Sequence, residues 1–220
     1  MTATIDEARL EQFMGGMIGH MIGGALCFGV WLGDQLGLYR ALAEGGPSTA
    51  DELAERTGTN ARLVREWLDG QAAGRLVDRD SDTDRYTLSP EAVAALADDS
   101  SPVFVARGMN AFASMFIDHD KIRGAFLDDG SLSWGDHHPC LFTGTEWFFR
   151  TGYRAYLPTE WLPALDGVEA KLRSGARVAD IGCGHGASAV VMAEAYPSAT
   201  IVGFDSHAAS IDTARRRAAD

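Results

Sequence analysis

Three glycines at alternate positions, Gly182, Gly184 and Gly186, follow the short apolar run Val178-Ala179-Asp180-Ile181 and lead into Val190-Val191-Met192-Ala193. Few folds accept such a stretch. Glycine removes the Cβ and permits positive φ, so this spacing between two apolar runs predicts a strand, a tight loop and a helix, with something lying close against the loop backbone. The β-branched ends of the first run predict a parallel strand buried on both faces. A second strand follows at Ile201-Val202-Gly203-Phe204 and is closed by Asp205. That acid stands about 20 residues beyond the loop, the spacing at which nucleoside-binding sheets place a carboxylate for ribose hydroxyls. The two features together predict a nucleoside site.

Two kinds of nucleoside cofactor fit the glycines. Gly182-x-Gly184-x-x-Ala187 satisfies the dinucleotide fingerprint, in which a pyrophosphate rests on the helix N-terminus. Asp180 argues against that reading, because it sets a like charge beside the phosphates, whereas a ligand carrying an ammonium and a sulfonium gains from a carboxylate there. In this form, Asp180-x-Gly182-x-Gly184-x-Gly186 resembles the first signature of the class I S-adenosylmethionine-dependent methyltransferases. The resemblance implies that Gly182, Gly184 and Gly186 lie against the methionine part of the cofactor, with Cys183 contributing backbone. It also implies that Asp180 serves the ammonium, directly or through water, and that Asp205 takes the ribose hydroxyls.

Composition narrows the partners. A net charge of -12 and a pI near 4.8 argue against nucleic acid, which is bound through clustered Lys and Arg. Cys27, Cys140 and Cys183 are odd in number and far apart, so neither a disulfide framework nor a cysteine zinc site is expected, and a cytoplasmic setting fits. From Phe13 to Gly33 there is no Asp, Glu, Lys or Arg, a length that could cross a bilayer. The basic segment of a signal peptide is missing before it, and Asp34 follows at once. Gly15, Gly19 and Gly23 line one helical face with small residues, which lets another helix approach. Each glycine costs a helix about 1 kcal/mol relative to Ala, so this segment needs tertiary or dimer packing. A packed interface helix is expected here, not a membrane span.

The helix is expected to continue from 26 to 43 with an interruption near Gly33. Thr49-x-x-Glu52 is a capping box for a short helix ending at Gly58, and Thr59 or Asn60 caps a second that carries Leu63, Val64, Trp67 and Leu68 and ends at Gly74. Arg75-Leu76-Val77 and Arg85-Tyr86-Thr87-Leu88, around the polar turn Asp80 to Asp84, predict a hairpin, and Ser89-Pro90-Glu91 opens another helix. Helix, turn, helix and hairpin make a winged helix. Between Thr49 and Ala97, six Arg and no Lys face ten Asp and Glu, and the wing tip carries Asp80, Asp82 and Asp84. Phosphates would be repelled, so a structural role is favoured over a DNA-binding one.

Beyond residue 98, a helix around Val103 to Ile117 is expected to bury Phe104, Met109, Phe112, Met115 and Phe116. The stretch from Gly130 to Gly152 reads as irregular and as a lid. Within it, Asp136-His137-His138-x-Cys140 offers metal-ligand types, yet the spacing matches no zinc motif, and no metal is expected. His137 and His138 are weak candidates for a general base, second to an ordinary polar loop. An aromatic helix from Phe149 to Leu165 then leads to the strand at Val178, and a last helix is expected from His207 to Ala219.

The order of parts, with Gly37-Leu38-Tyr39-Arg40-Ala41-Leu42-Ala43, Arg65-Glu66-Trp67-Leu68, Phe149-Arg150-x-x-Tyr153 and Glu160-Trp161-Leu162-Pro163-Ala164-Leu165, resembles bacterial and plant O-methyltransferases with an N-terminal winged-helix dimerisation region. The resemblance implies a mostly α plus α/β chain in three parts. These are a helical, winged-helix dimerisation domain (1–97), a helical linker and lid (98–165), and the first two βα units of a Rossmann-like S-adenosylmethionine-binding domain (166–220). It implies S-adenosylmethionine as cofactor, Tyr153 among the cofactor contacts, a small-molecule methyl acceptor taking the methyl on O or N, and a homodimer through the N-terminal helices. The family's sheet has seven strands and two are present, so the chain is expected to be an N-terminal portion that is inactive alone. A winged-helix DNA-binding regulator and a dimerisation fragment without catalysis are the alternatives.

Overall fold

The computed structural model describes residues 5–127 and 130–219. The chain divides into two compact units after Val93, so that residues 98–165 lie in the same unit as the glycine loop. The outer ends of the expected ranges, 1–4 and 220, lie outside the described residues. The architecture is helical, with two small two-stranded sheets.

The first unit opens with α1 (Glu7–Gln35), capped by Asp6, whose carboxylate accepts the amide protons of Ala8 and Arg9. By length and composition α1 could cross a bilayer. Most of it is exposed, including Phe13, Met17, Ile18, Met21 and Ile22. Only its last turns pack, and there glycine has a use. A Cβ at Gly29 would strike Gln71, and one at Gly33 would strike the rings of Trp67 and Tyr39. Trp67 Nε1 donates to the Gly29 carbonyl at 2.8 Å, Tyr39 donates its hydroxyl to Gln71 at 2.5 Å, and the Tyr39 and Trp67 rings meet edge to face at 5.0 Å. Such an aromatic pair adds about 1 kcal/mol beyond its buried area. The interruption expected near Gly33 falls instead at Leu36-Gly37, where Gly37 takes φ 68. Gly33 is itself helical, and the rings of Trp67 and Tyr39 occupy the space a side chain would need.

Helices α2 (Leu38–Gly45), α3 (Ala50–Thr57) and α4 (Ala61–Ala73) bury Leu38, Leu42, Leu53 and Leu68. The capping box closes as expected, and Asn60 caps α4. The hairpin pairs β1 (Asp78–Asp80) with β2 (Arg85–Thr87) in antiparallel register. Its first strand therefore starts three residues later than Arg75-Leu76-Val77. The reason is the exit from α4: Arg75 adopts φ 60, and the amides of Arg75 and Leu76 turn back to Ala72 and Gln71. The wing's arginines are held by its acids. Arg65 and Arg79 reach Asp84 at 2.8 and 2.9 Å, and Arg85 grips both oxygens of Glu52 at 2.8 Å. The short α5 (Pro90–Ala92) follows, capped by Ser89.

The second unit is built on α8 (Pro139–Tyr156), which packs against α6 (Asn110–Ile117) and α10 (Ala187–Ala195). Two expectations fail here. The stretch read as an irregular lid is mostly this 18-residue helix, started by Pro139 in its first turn and by His138, whose Nδ1 accepts the Cys140 amide proton. Of the residues expected in the core Phe104 is buried, but Phe112, Met115 and Phe116 of α6 face outward, while Asn110 and Ser114 are buried. The cause is Gly144, which brings the α8 backbone so close that a Cβ there would collide with the Ala111 nitrogen. Between α6 and α8 stands α7 (His119–Leu127).

After α9 (Val168–Arg173), β3 (Arg177–Ile181) pairs in parallel with β4 (Thr200–Phe204), Asp180 standing opposite Gly203, and α11 (Ala208–Ala219) ends the described chain. Val191, Met192 and Tyr196 of α10 and its C-cap bury against this sheet region with Leu172. β3 is not buried on both faces as expected: Ile181 is 76% exposed, because β4 is its one partner strand among the described residues.

Replacing Gly144 by Ala should destabilise the chain by about 2 kcal/mol, since backbone, not a flexible side chain, stands in the way. Replacing Gly124, which has nothing within 4 Å, should stabilise it by up to about 1 kcal/mol. Urea unfolding of the two variants checks the contrast.

Candidate active site

The sequence forces the loop between β3 and α10 into an unusual path, and the path makes a site. Gly182, Gly184 and Gly186 all have positive φ, at 76, 53 and 78, a region that side-chain-bearing residues rarely enter. No atom lies within 4 Å of where a Cβ would stand on Gly182 or Gly184, so the space above them is open to a ligand. Gly186 is different. Its missing Cβ admits α11, which passes with the Ala214 side chain at 3.0 Å from that point.

Two carboxylates fix the loop. Asp205 accepts the amide protons of Gly184 and His207, each at 2.8 Å, so the acid after β4 ties the middle of the loop to the start of α11. Hydrogen bonds to a charged acceptor contribute about 1.5–3 kcal/mol each. Asp180, on β3, accepts the Ser188 hydroxyl at 2.6 Å. The amides of Gly182 and Cys183 both donate to the Phe204 carbonyl. Cys183 is buried, and its thiol fits where Gly203 has no side chain. Burial, and then Asp180 and Asp205, push that thiol's pKa up, so it stays protonated and is a poor nucleophile.

Above the loop lies a cleft of about 1200 Å³. It is lined by Asp180, Gly182, Cys183, Gly184, Asp205 and Tyr153, six of the residues singled out from the sequence. Burial and the neighbouring Asp180 raise the Tyr153 phenol, keeping it a hydrogen-bond donor. Gly186 lies behind the loop, under α11. His137 and His138 do not line the cleft. Both belong to a cluster around the buried Asp118, which accepts the His138 amide proton at 2.7 Å, faces His137 Nδ1 at 3.3 Å and pairs with Lys121 at 3.1 Å. Among the described residues, no three His, Cys, Asp or Glu side chains are gathered to hold a metal.

Glu146 is the site residue that the sequence does not announce. It projects from α8 into the cleft wall with only 5% of its side chain exposed. Arg217 donates to its Oε2 at 2.9 Å and to the His185 carbonyl at 3.2 Å, clasping the glycine loop from the far side. Burial works to raise the Glu146 pKa, but the contacts with His185 and Arg217 outweigh it and hold the carboxyl below its ordinary value. The only signal in the sequence is a lone acid among Phe142, Trp147, Phe148 and Phe149.

Comparison with known proteins gives the architecture a place. Residues 24–98 match the Rv2258c-like winged HTH domain, and residues 172–220 match a methyltransferase domain. The chain joins a winged helix to a methyltransferase domain. This order of parts, a winged helix ahead of a methyltransferase domain, is the one expected from the motifs. The winged-helix methyltransferase fold recurs in solved structures. The mitomycin 7-O-methyltransferase MmcR superposes with a TM-score of 0.67 at 19% identity, over 97% of this chain and 64% of its own. CalO1, a methyltransferase in calicheamicin biosynthesis solved with S-adenosylhomocysteine, gives 0.61 at 21% identity, over 96% and 62%. Human N-acetylserotonin methyltransferase, solved with S-adenosylmethionine, gives 0.56 at 17%, over 93% and 61%. The chain spans a little under two thirds of the length of each. No curated protein sequence matches it.

The Glu146 carboxyl supplies a test by pH. Because its folded pKa is lowered, the stability it contributes is present above its ordinary value of 4.5 and is lost as pH falls through the folded value. Urea unfolding of E146Q should therefore show a shallower loss of stability below about pH 4.5 than the unaltered chain, and a lower stability at neutral pH.

Proposed function

We propose that this chain is part of an S-adenosylmethionine-dependent methyltransferase that methylates an oxygen or nitrogen of a small molecule. The observation that carries the reading is the placement of Asp180, the open glycine loop, Asp205 and Tyr153 around one cleft. The residues present fit the cofactor. Acids predominate over bases among the side chains lining the cleft, with Asp180, Asp205, Asp212 and Glu146 facing His185 and Arg215, which suits an ammonium and a sulfonium better than a pyrophosphate. Gly182, Gly184 and Asp180 would hold the amino-acid end, and Asp205 would take the ribose hydroxyls. Asp205 keeps lone pairs for the hydroxyls after accepting its two amides.

Bound there, the cofactor would supply an electrophilic methyl group to the acceptor. The chain's own contribution is position: the loop would hold one partner while Trp134, Phe142 and Phe149 give the cleft an apolar wall. Protonated Cys183 takes no covalent part. The edge of β3 that has no partner strand among the described residues and the exposed Ile181 support completion of the sheet by further strands, and methyl transfer is expected to need them. The exposed apolar side of α1 supports a homodimer through the N-terminal helices. Three free cysteines suit the cytoplasm. The DNA-binding alternative loses ground because Arg65, Arg79 and Arg85 are engaged by acids of their own unit.

Isothermal titration should give S-adenosylhomocysteine a Kd on the order of 0.1 mM, about 5.5 kcal/mol, with no heat from NAD. Asp205→Asn should weaken the binding about tenfold. Binding of NAD in preference to S-adenosylhomocysteine, or of neither, would overturn the proposal.

A further inference from the structure

Among the described residues, Glu146 Oε1 is the one buried side-chain oxygen or nitrogen that has no hydrogen-bond partner. A buried polar atom left unpaired costs about 1–3 kcal/mol, and more when charged, so such an atom points to a group that binds there. Oε2 of the same carboxylate is engaged by Arg217 at 2.9 Å, with His185 Nδ1 3.9 Å away. Arg150 approaches Oε1 only to 3.7 Å, beyond hydrogen-bond reach. Glu146 also lines the cleft that holds Asp180, Ser188 and the glycine loop.

An ionised carboxylate is purely an acceptor, so what satisfies Oε1 must carry N–H or O–H. Action as a general base is disfavoured, because contacts that favour the charged form make a weak base. Asp180 already spends one oxygen on Ser188. We propose that Glu146 Oε1 accepts a hydrogen bond from the ammonium of the cofactor's amino-acid end, adding a charged contact from α8 to the contact of Tyr153. The inference rests on the cofactor reading above and deepens it. Glu146 then has two tasks on two oxygens: Oε2 holds Arg217 and through it the His185 carbonyl, and Oε1 reads the ligand's cationic end.

Binding to two ligands separates these tasks. S-adenosylhomocysteine carries the ammonium, and methylthioadenosine has the same nucleoside without the amino-acid end. E146Q should bind S-adenosylhomocysteine about tenfold more weakly than the unaltered chain and methylthioadenosine equally well. N-acetylation of S-adenosylhomocysteine, which removes the charge, should weaken binding to the unaltered chain and make little difference to E146Q. Should E146Q fail to fold, as judged by circular dichroism, E146D keeps the charge, withdraws it by one methylene and should show the same ligand-selective loss in smaller measure. An equal loss for both ligands would assign Glu146 to loop support alone and overturn the inference, as would no loss for either. If the unaltered chain binds neither ligand, the cofactor reading itself fails.

Discussion

A backbone that turns through three left-handed glycines holds its shape only if something pins it, and in this chain the pin is Asp205. Its two oxygens take the amides of Gly184 and His207, so one side chain joins the loop, the end of β4 and the first turn of α11. The parallel pairing of β3 and β4 sets the distance across which that carboxylate reaches. Arg217 closes the ring from α11 through the His185 carbonyl and Glu146. The cleft is therefore bounded by fixed dipoles and charges before any ligand arrives, the condition under which positioning can accelerate a reaction.

Glycine serves three distinct purposes along the chain. At Gly182 and Gly184 it permits positive φ and leaves open space. At Gly29, Gly33 and Gly144 it makes room inside or beside ordinary helix, for Gln71, for the rings of Trp67 and Tyr39, and for the α6 backbone. At Gly15, Gly19 and Gly23 nothing lies near, and the surrounding helix surface is apolar and exposed. The first use builds a site and the second builds the two units. The third leaves a surface suited to another helix.

The glycine signature, the capping box at Thr49 and the winged-helix order were legible because each rests on local chemistry: positive φ, a side chain reaching its own backbone, a period of 3.6. What escaped depends on distant partners. Whether the apolar stripe of α6 faced in or out was decided by Gly144, more than 25 residues away on another helix. The helix over 139–156 starts well before the aromatic helix expected from Phe149, and its glycine at 144 is explained by tight packing against another helix. Glu146 gave no motif. Its importance comes from Arg217 and the loop, which a linear reading cannot bring beside it. His137 and His138 illustrate the reverse, since a suggestive pair of ligand types is spent on Asp118 and on capping α8.

The central claim is that the glycine loop itself is the surface a nucleoside cofactor touches. Nitrogen-15 glycine labelling, followed by titration with S-adenosylhomocysteine, tests it at the atoms concerned. The amide signals of Gly182 and Gly184 should shift progressively with ligand, while those of Gly37 and Gly58 in the winged-helix unit stay in place. Loop signals that do not move at saturating ligand, or shifts confined to the winged-helix glycines, would contradict the account.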